Sequence, residues 1–279
     1  MKFGVTIFPT HYSIGPAEVA RAAEAAGLES LWFPEHTHIP TQTRFPMGDG
    51  TVPEHYRSTL DPFVALGAAA SVTTTIKLAT GIALIPQRDP ITLAKEVATL
   101  DLISNGRVIL GIGAGWNEPE TRNHGTDFDH RFKVMRERIL AMKQLWTKDE
   151  AEYHGETVDF GPTWSWPKPV QKPHPPIVVG GAGAHTLKRV IDYADGWMPI
   201  AFAGFDGLKP RIAELTEMAA KAGRPKPEVS VFGAPLDAAS IGRAAEIGID
   251  RIVWGLDSAP ADKVLPVIEA YGKAAAAHR

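Results

Sequence analysis

The strongest constraint in this sequence is the repeated alternation of short apolar runs with longer helix-like segments. Eight runs have the length and composition of strands, since they are short and many are rich in β-branched and aromatic residues. The runs are Phe3–Phe8, Ser30–Pro34, Ile76–Ile82, Arg107–Gly113, Ile177–Gly180, Gly196–Ile200, Val229–Phe232 and Arg251–Trp254. Because a helical segment follows each run, neighbouring strands are predicted to be parallel.

The segments between these runs are predicted to be eight helices, several of which begin near Pro or Asp. Ala-rich helices stop at Gly27 and Gly248, and each glycine leads into an apolar run, as expected where a helix ends and a strand begins. The predicted helices are Pro16–Ala26, Pro62–Val72, Pro90–Leu102, Arg131–Trp146, Ala184–Tyr193, Leu208–Ala222, Asp237–Ile247 and Asp262–Ala275.

Eight alternations predict an α/β fold, a (β/α)8 TIM barrel formed as a single domain over residues 1–279. A doubly wound open sheet is the alternative, but it usually has fewer strands, and no GxGxxG motif follows the first run. Two connections, about 35–61 and 147–176, are longer than a bare barrel needs. We expect both insertions at the C-terminal face, where barrel active sites form. The second holds six prolines between Pro162 and Pro176, which predict a stiff extended segment.

Composition narrows the function classes. The chain has no cysteine, which excludes disulfides, thiolate metal sites and cysteine nucleophiles and predicts a cytoplasmic location. The formal charge of −3 lacks the positive excess of a nucleic-acid-binding protein. No apolar run is long enough to suggest a membrane segment. A small molecule is therefore the expected partner.

The segment IVVGGAGAHTLKRV carries an apolar run into Gly180, Gly181 and Gly183 and then into a helix near Ala184. Glycines let backbone N–H groups approach a phosphate, and the helix N-terminus adds partial positive charge. Thr186 adds a hydroxyl. The pattern predicts an anion site, although a tight turn alone would also use these glycines.

A second glycine cluster, GIGAGWNEPE, places Gly111, Gly113 and Gly115 at the end of the fourth run, before Trp116 and Asn117. A strand end without side chains admits a flat aromatic ring against the backbone. Packing inside the barrel is the alternative explanation.

The segment WFPEHTHIP brings Glu35, His36 and His38 to the end of the second run. The two histidines could bind a metal, as in amidohydrolase-type barrels, which makes a metal-dependent hydrolase one hypothesis. Such a site needs further ligands at other strand ends, and here the fourth to sixth runs end in GIGAG, VVGG and MPI. We therefore expect no metal, with His36 as a catalytic proton donor or acceptor and Glu35 setting its orientation.

Together these motifs resemble the luciferase-like monooxygenase family, and specifically its branch of coenzyme F420-dependent oxidoreductases. The resemblance covers nearly the whole chain. It is carried by PEHTHIP, LDPFVALGAAA, LATGIALIPQRDPITLAKEVATLDLISNGRVILGIGAGW, HGTDF, PKPVQKPHPPIVVGG and ADGWMP.

The resemblance implies a barrel whose C-terminal face binds the ring of F420, or of FMN in the monooxygenases. It implies a bulge at Gly81 and Ile82 that supports the ring, often with a cis peptide. It also implies residues along the ring edge and around the phosphate. The expected edge residues are Ala114, Gly115, Trp116 and Asn117, and the expected phosphate residues are Gly180, Gly181, Ala182, Gly183 and Thr186.

The implied reaction is hydride transfer between F420 and a small organic substrate, with one proton handled by His36. FMN would permit oxygen activation and monooxygenation instead, and the motifs do not choose between the two cofactors. A barrel that binds the cofactor without turnover is a third hypothesis. A homodimer is expected from the resemblance alone. We expect a partly aromatic substrate pocket from side chains of the two insertions, namely Phe45, Met47, His55, Tyr56, Trp164 and Trp166.

Overall fold

The structure is a computed structural model that describes residues 1–201, 204–205 and 207–278. Positions 202, 203, 206 and 279 of the predicted 1–279 domain lie outside the described residues. The strands are β1 (Lys2–Thr6), β2 (Ser30–Phe33), β3 (Lys77–Thr80), β4 (Ala83–Leu84), β5 (Val108–Gly113), β6 (Glu150–His154), β7 (Asp159–Trp164), β8 (Ile177–Gly180), β9 (Gly196–Met198), β10 (Glu228–Phe232) and β11 (Arg251–Gly255).

The helices alternate with these strands, and most begin at or next to a proline or an aspartate, as predicted. They are α1 (Pro16–Ala25), α2 (Glu54–Arg57), α3 (Pro62–Ala70), α4 (Pro90–Ile103), α5 (Glu118–Asn123), α6 (Arg131–Thr147), α7 (Thr186–Tyr193), α8 (Leu208–Lys221), α9 (Ala238–Glu246) and α10 (Ala261–Ala276). Short 3-10 turns lie at Ile85–Gln87 and Phe128–His130.

Eight parallel strands close into a barrel in the order β1, β2, β3, β5, β8, β9, β10, β11. Closure is made by β1 and β11, which pair in parallel from Lys2 opposite Arg251 to Thr6 opposite Gly255. The TIM barrel prediction is confirmed, and the open-sheet alternative is wrong because the barrel has no free edge.

The barrel interior is filled by side chains from alternate strand positions. One step nearer the carboxyl ends, β3, β5 and β8 lead to Gly81, Gly111 and Gly180, so the interior loses its side chains at the mouth. The buried residues that pack together below this level are Trp32, Ala79, Ile109, Val178, Met198 and Val253.

The opposite, N-terminal end of the barrel is closed by a buried charge. The Arg251 side chain is 2% exposed and donates to both carboxylate oxygens of Glu29, at 2.8 and 2.9 Å. It also donates to Ser230 at 2.8 Å and pairs with Glu228. Since Glu29 directly precedes β2, Glu228 and Ser230 lie in β10 and Arg251 begins β11, this cluster ties three strands together at that end.

The second insertion, 147–176, differs from the prediction. It follows α6 and precedes β8, and barrel helices run antiparallel to the strands, so it begins and ends at the N-terminal end. There Gln171 donates to the Asp101 carboxylate at 2.9 Å and to the Val108 carbonyl, at the start of β5, at 2.8 Å. The expected position at the C-terminal face is therefore wrong for this insertion, whereas 35–61 does follow the carboxyl end of β2.

The same insertion contains a β-hairpin, whereas its prolines had predicted only a stiff extended segment. β6 and β7 pair antiparallel and pack on α6, where Thr157 donates its N–H to Glu137 at 2.7 Å. Trp164 and Trp166 are 78% and 58% exposed on this side of the molecule. They do not belong to the expected substrate pocket.

Across the described ranges, no helix combines the length and apolar character needed to span a lipid bilayer.

The carboxylate of Glu24 fixes the loop that enters β3. It accepts the N–H groups of Thr74, Thr75 and Ile76 at 2.9 to 3.0 Å. Burial raises the pKa of Glu24, but these N–H groups outweigh it and lower the pKa from 4.5 to about 2. A carboxylate whose pKa is depressed by folding stabilises the native state above its unfolded pKa and loses that effect as the pH falls.

We predict that Glu24→Gln lowers the free energy of unfolding by about 1–2 kcal/mol at pH 7. The difference from the wild type should shrink as the pH falls from about 4.5 to about 2, because Glu24 then becomes protonated. Urea unfolding across this range measures it, with Glu18→Gln on the exposed side of α1 as the control. A difference that does not change with pH would contradict the assignment.

Candidate active site

Ile82 occupies the mouth of the barrel, over two glycines. The Gly81–Ile82 peptide bond is cis, as the resemblance implies. A Cβ atom on Gly113 would lie 1.8 Å from Ile82 Cδ1, and one on Gly180 would lie 3.1 Å from it. The space that these glycines clear is therefore filled by Ile82, and a bound ring would have to rest on this side chain.

Gly111 has a different role in the same cluster. A Cβ atom there would lie 2.1 Å from the carbonyl oxygen of Thr80, so only glycine permits β3 and β5 to approach this closely. Thr80 reinforces the contact, since its hydroxyl donates to the Gly111 carbonyl at 2.7 Å. The strand end is thus shaped by backbone contact as well as by Ile82.

His36 lies three residues after β2, beside this mouth. Its Nδ1 atom is 2.8 Å from Oε2 of Glu120, and the two side chains are 5% and 0% exposed. Its Nε2 atom makes no hydrogen bond with the described residues. His36 is therefore held through one ring nitrogen, and the other is available to a ligand.

Aromatic side chains of the first insertion and of the turn between β5 and α5 pack around His36. Its ring centroid lies 5.1 Å from that of Tyr56 and 5.7 Å from that of Trp116. Phe45 contacts both of these rings, at 5.1 and 5.5 Å. Burial raises the pKa of the Tyr56 phenol, which stays neutral. The structure thus brings the predicted residues Phe45, Tyr56 and Trp116 together against His36.

Glu35 has other partners than the one predicted. One carboxylate oxygen accepts the N–H of Leu84 at 2.6 Å, and the other accepts from Arg88 Nε at 2.7 Å. Arg88 also pairs with Asp61 at 2.5 Å and with Glu96 at 3.1 Å. Burial lowers the pKa of the Arg88 guanidinium, but Glu35 and Asp61 outweigh burial and raise it.

The prediction that Glu35 orients His36 is therefore wrong, and Glu120 makes that contact. Glu35 instead ties the end of β2 to β4 and α4. Because β4 directly follows Ile82, this ion pair helps to fix Ile82 at the barrel mouth.

The predicted ring-edge residues form the turn between β5 and α5. Ala114 is buried, Gly115 has a φ of +80°, and Asn117 caps α5 by accepting the N–H of Glu120 at 3.5 Å. Asn117 Nδ2, Glu120 Oε1 and both polar side-chain atoms of Gln87 are buried and have no hydrogen-bond partner among the described residues. Buried polar groups usually have hydrogen-bond partners, so these atoms are available to a ligand bound beside the mouth.

The predicted phosphate turn is open and exposed. Arg211 donates to the carbonyls of Ala182 and Gly183 at 3.2 and 3.3 Å, which fixes the turn from outside. A Cβ atom on Gly181, whose φ is +96°, would meet no atom within 4 Å, and one on Gly183 would meet only Thr186 Oγ1 at 3.7 Å.

Two N–H groups of this turn are available to an anion, whereas that of Gly181 donates to the Met198 carbonyl at 3.1 Å. Those of Ala182 and Gly183 bond to none of the described residues, and no side chain caps α7. The helix begins at Thr186 rather than near Ala184. Free N–H groups, open space and a helix N-terminus together fit a phosphate.

His36 and His38 do not converge. His38 Nε2 is 2.9 Å from the Asn123 amide nitrogen, and His38 Nδ1 is 3.0 Å from the Thr37 hydroxyl. In the part of the chain that the structure describes, no three His, Cys, Asp or Glu side chains are arranged to hold a metal ion. The donor set therefore differs from the one that the hydrolase hypothesis requires.

Two residues of the site were missed by sequence reasoning. Glu120 was detectable in part, because Asn117 followed three residues later by Glu is a capping pattern that marks a helix start. Its contact with His36, 84 residues away in the chain, has no local signal. Arg88 lies just before α4, and its segment carries no sequence signal for a functional site.

Comparison with known proteins decides the family. The family model of the luciferase-like monooxygenases matches residues 1–277. The chain belongs to the luciferase-like monooxygenase family. Members of this family are oxidoreductases and monooxygenases, so the resemblance seen in the motifs is confirmed.

Individual relatives differ in cofactor. An uncharacterised protein of Mycobacterium tuberculosis is 42% identical over 275 residues, or 96% of each chain. The oxygenase component of a flavin-dependent trigonelline monooxygenase from Acinetobacter baylyi is 36% identical over 164 residues, 58% of this chain and 41% of that protein. A solved F420-dependent secondary alcohol dehydrogenase, in complex with an F420–acetone adduct, superposes with a TM-score of 0.78 at 21% identity, covering all of both chains. This last likeness concerns the fold.

Proposed function

We propose that this protein is a cytoplasmic F420-dependent oxidoreductase that transfers a hydride between F420 and a small organic substrate. In this proposal His36 donates or accepts the accompanying proton. The observation that carries it is the pairing of an apolar platform, Ile82 on Gly113 and Gly180, with a buried histidine whose Nε2 atom is free. A stacked ring and one proton carrier are what hydride transfer requires of a protein.

The residues present fit the cofactor. The Ile82 side chain offers an apolar surface for the ring, with Gly81, Ala114 and Gly115 beside it. At the edge, Asn117 Nδ2 and both polar side-chain atoms of Gln87 have no hydrogen-bond partner among the described residues and could bind polar groups of the ring. The residues that would hold the ring edge and phosphate are Trp116, Asn117, Gly180, Gly181, Ala182, Gly183 and Thr186.

When bound, F420 supplies a ring carbon that gives or takes a hydride. His36 accepts the hydroxyl proton of an alcohol at Nε2 during oxidation and returns it to a carbonyl oxygen during reduction. Tyr56 and Trp116 pack on His36 and keep water from its ring. Glu35 and Arg88 hold the segment after Ile82 and so keep the platform in place.

An FMN-dependent monooxygenase is the second candidate. The flavin-dependent trigonelline monooxygenase is similar over 58% of this chain, and the glycine turn would suit the phosphate of either cofactor. A binding protein without turnover would share the same platform and turn. Cofactor titration separates the first two candidates, and substitution of His36 separates both from the third.

We predict that the purified protein binds F420 with micromolar or tighter affinity and FMN much more weakly, as followed by fluorescence quenching. Gly113→Ala should weaken F420 binding at least tenfold, because the new methyl group displaces Ile82. Gly161→Ala in β7 is the matched control, since a Cβ atom there meets nothing within 4 Å. Tighter binding of FMN would favour the monooxygenase, and binding of neither cofactor would refute both candidates.

We predict that His36→Ala lowers kcat about 100-fold, the usual contribution of a general acid or base, while cofactor affinity stays within a few-fold. Glu35→Gln should instead lower the free energy of unfolding by about 3–5 kcal/mol, because it leaves part of the buried charge of Arg88 unpaired. Steady-state kinetics and thermal unfolding measure the two effects. An unchanged kcat in His36→Ala would remove His36 from the reaction.

We also propose that two copies of the chain associate through α3 and α4. α3, PFVALGAAA, is apolar on every side, and such helices are normally buried. Yet Val64 on α3 is 76% exposed, and Ile91 and Ile103 on α4 are 45% and 59% exposed. An apolar patch of this kind on adjacent helices suits a two-fold interface between identical subunits.

The dimer proposal predicts a mass near twice 30.1 kDa in solution. Val64→Asp with Ile103→Asp should give the monomer, because each would bury an unpaired carboxylate in the interface. Val267→Asp, at a 37% exposed position on α10, is the control and should stay dimeric. Light scattering after gel filtration measures the masses, and a dimeric double variant would place the interface elsewhere.

A further inference from the structure

We propose that Glu120 is the positioning residue of His36: it holds the neutral imidazole in the Nδ1–H form, so that Nε2 carries the lone pair that meets the substrate. This inference rests on the proposed function for its catalytic consequence. The form of the imidazole itself is a property of the protein alone.

The chemistry of the two groups indicates the direction of the hydrogen bond. Oε2 of Glu120 lies 2.8 Å from His36 Nδ1. An ionised carboxylate only accepts hydrogen bonds, so the hydrogen between the two atoms belongs to Nδ1. A neutral imidazole has one N–H group, and its Nε2 atom is then an acceptor.

Among the described residues, the Glu120 carboxylate forms a hydrogen bond only with His36. Its other oxygen, Oε1, is buried without a hydrogen-bond partner, and the side chain is 0% exposed. A buried carboxylate with a single partner costs stability rather than adding to it, and such groups concentrate at functional sites. Its position is fixed because it lies in the first turn of α5, which Asn117 caps.

The other titratable groups near His36 do not compete for Nδ1. Glu35, its chain neighbour, is bound to Arg88 and to the Leu84 N–H. Tyr56 and His55 face it from α2, where Tyr56 contacts it by ring packing. His124, which directly follows α5, bonds to the Thr37 hydroxyl.

The arrangement determines how the proton moves. With F420 bound, alcohol oxidation would break the O–H bond and pass its proton to Nε2 of His36, and the cofactor would supply the acceptor for the hydride released as the C–H bond breaks and the carbonyl group forms. The imidazolium formed is stabilised by the Glu120 carboxylate at 2.8 Å. Reduction of the carbonyl reverses both transfers.

The test is the form of the His36 ring, read from long-range 1H–15N correlation spectra of protein labelled with 15N-histidine. Spectra are recorded without cofactor at about pH 8, where ordinary imidazoles are neutral. A spectrum of His36→Gln assigns the His36 signals. We expect the wild type to show only the Nδ1–H form, and Glu120→Met to lose it in favour of the Nε2–H form. Glu120→Gln should keep the Nδ1–H form, because its amide oxygen still accepts.

Glu118→Met is the matched control, since Glu118 lies on the same helix but is half exposed and paired with Arg122. It should leave the His36 signals unchanged. A wild type in the Nε2–H form would overturn the inference even if Glu120→Met does not fold. Retention of the Nδ1–H form in a folded Glu120→Met protein would also overturn it. Neither result depends on cofactor binding. Failure of the proposed function would be seen separately, in the titrations with F420 and FMN.

Discussion

The absence of side chains at Gly113 and Gly180 is the constraint on which the barrel mouth depends. The barrel interior is packed up to Ile109 and Val178, and farther along these two strands Gly111, Gly113 and Gly180 carry no side chain. Ile82 enters from the neighbouring strand and fills the space. A parallel barrel normally ends in a layer of inward side chains. Here the branched side chain of Ile82 lies over Gly113 and Gly180 and presents an apolar surface at the mouth.

Two buried carboxylates at this mouth have separate roles. Glu35 is neutralised by Arg88 and joins β2 to β4, so its contribution is structural support of Ile82. Glu120 has one partner, His36, and an unused oxygen. A carboxylate that binds a guanidinium and a backbone N–H has its charge fully compensated, whereas one that binds only an imidazole responds to the protonation of that ring. In the proposed function, proton handling belongs to the His36 and Glu120 pair.

Much of the fold could be predicted because it is encoded locally. Periodicity and helix-start residues gave all eight barrel strands and eight helices, and parallel closure follows from their alternation. Short elements escaped: α5 has six residues, and the β6–β7 hairpin ends in a proline-rich stretch. The second insertion was predicted at the wrong end because loop length does not indicate an end of the barrel. A loop that follows a helix, as this one follows α6, begins at the N-terminal end.

The site was predictable in its residue types and less so in its pairings. Glycine turns and the His36 segment have local signatures, and the structure places them at one end of the barrel. The partner of His36 could not be read from the sequence, because Glu120 lies 84 residues away in the chain, whereas the adjacent acid, Glu35, is bound to Arg88. Adjacency in the chain favoured Glu35, but successive residues in extended chain point to opposite sides. Glu35 therefore points away from the His36 ring, and Glu120 on α5 lies beside it.

The buried Arg251 cluster and the second insertion together make the two ends of the barrel independent. The end that carries Gln171, Glu29 and Arg251 fastens the strands, while the opposite end carries the histidine and the glycine turns. Residues 37–60 rest on the second end alone. New side chains in that segment can therefore arise and be selected without loosening the scaffold. Under the proposed function, the preference for a substrate can thus change through this loop while the barrel beneath it stays the same.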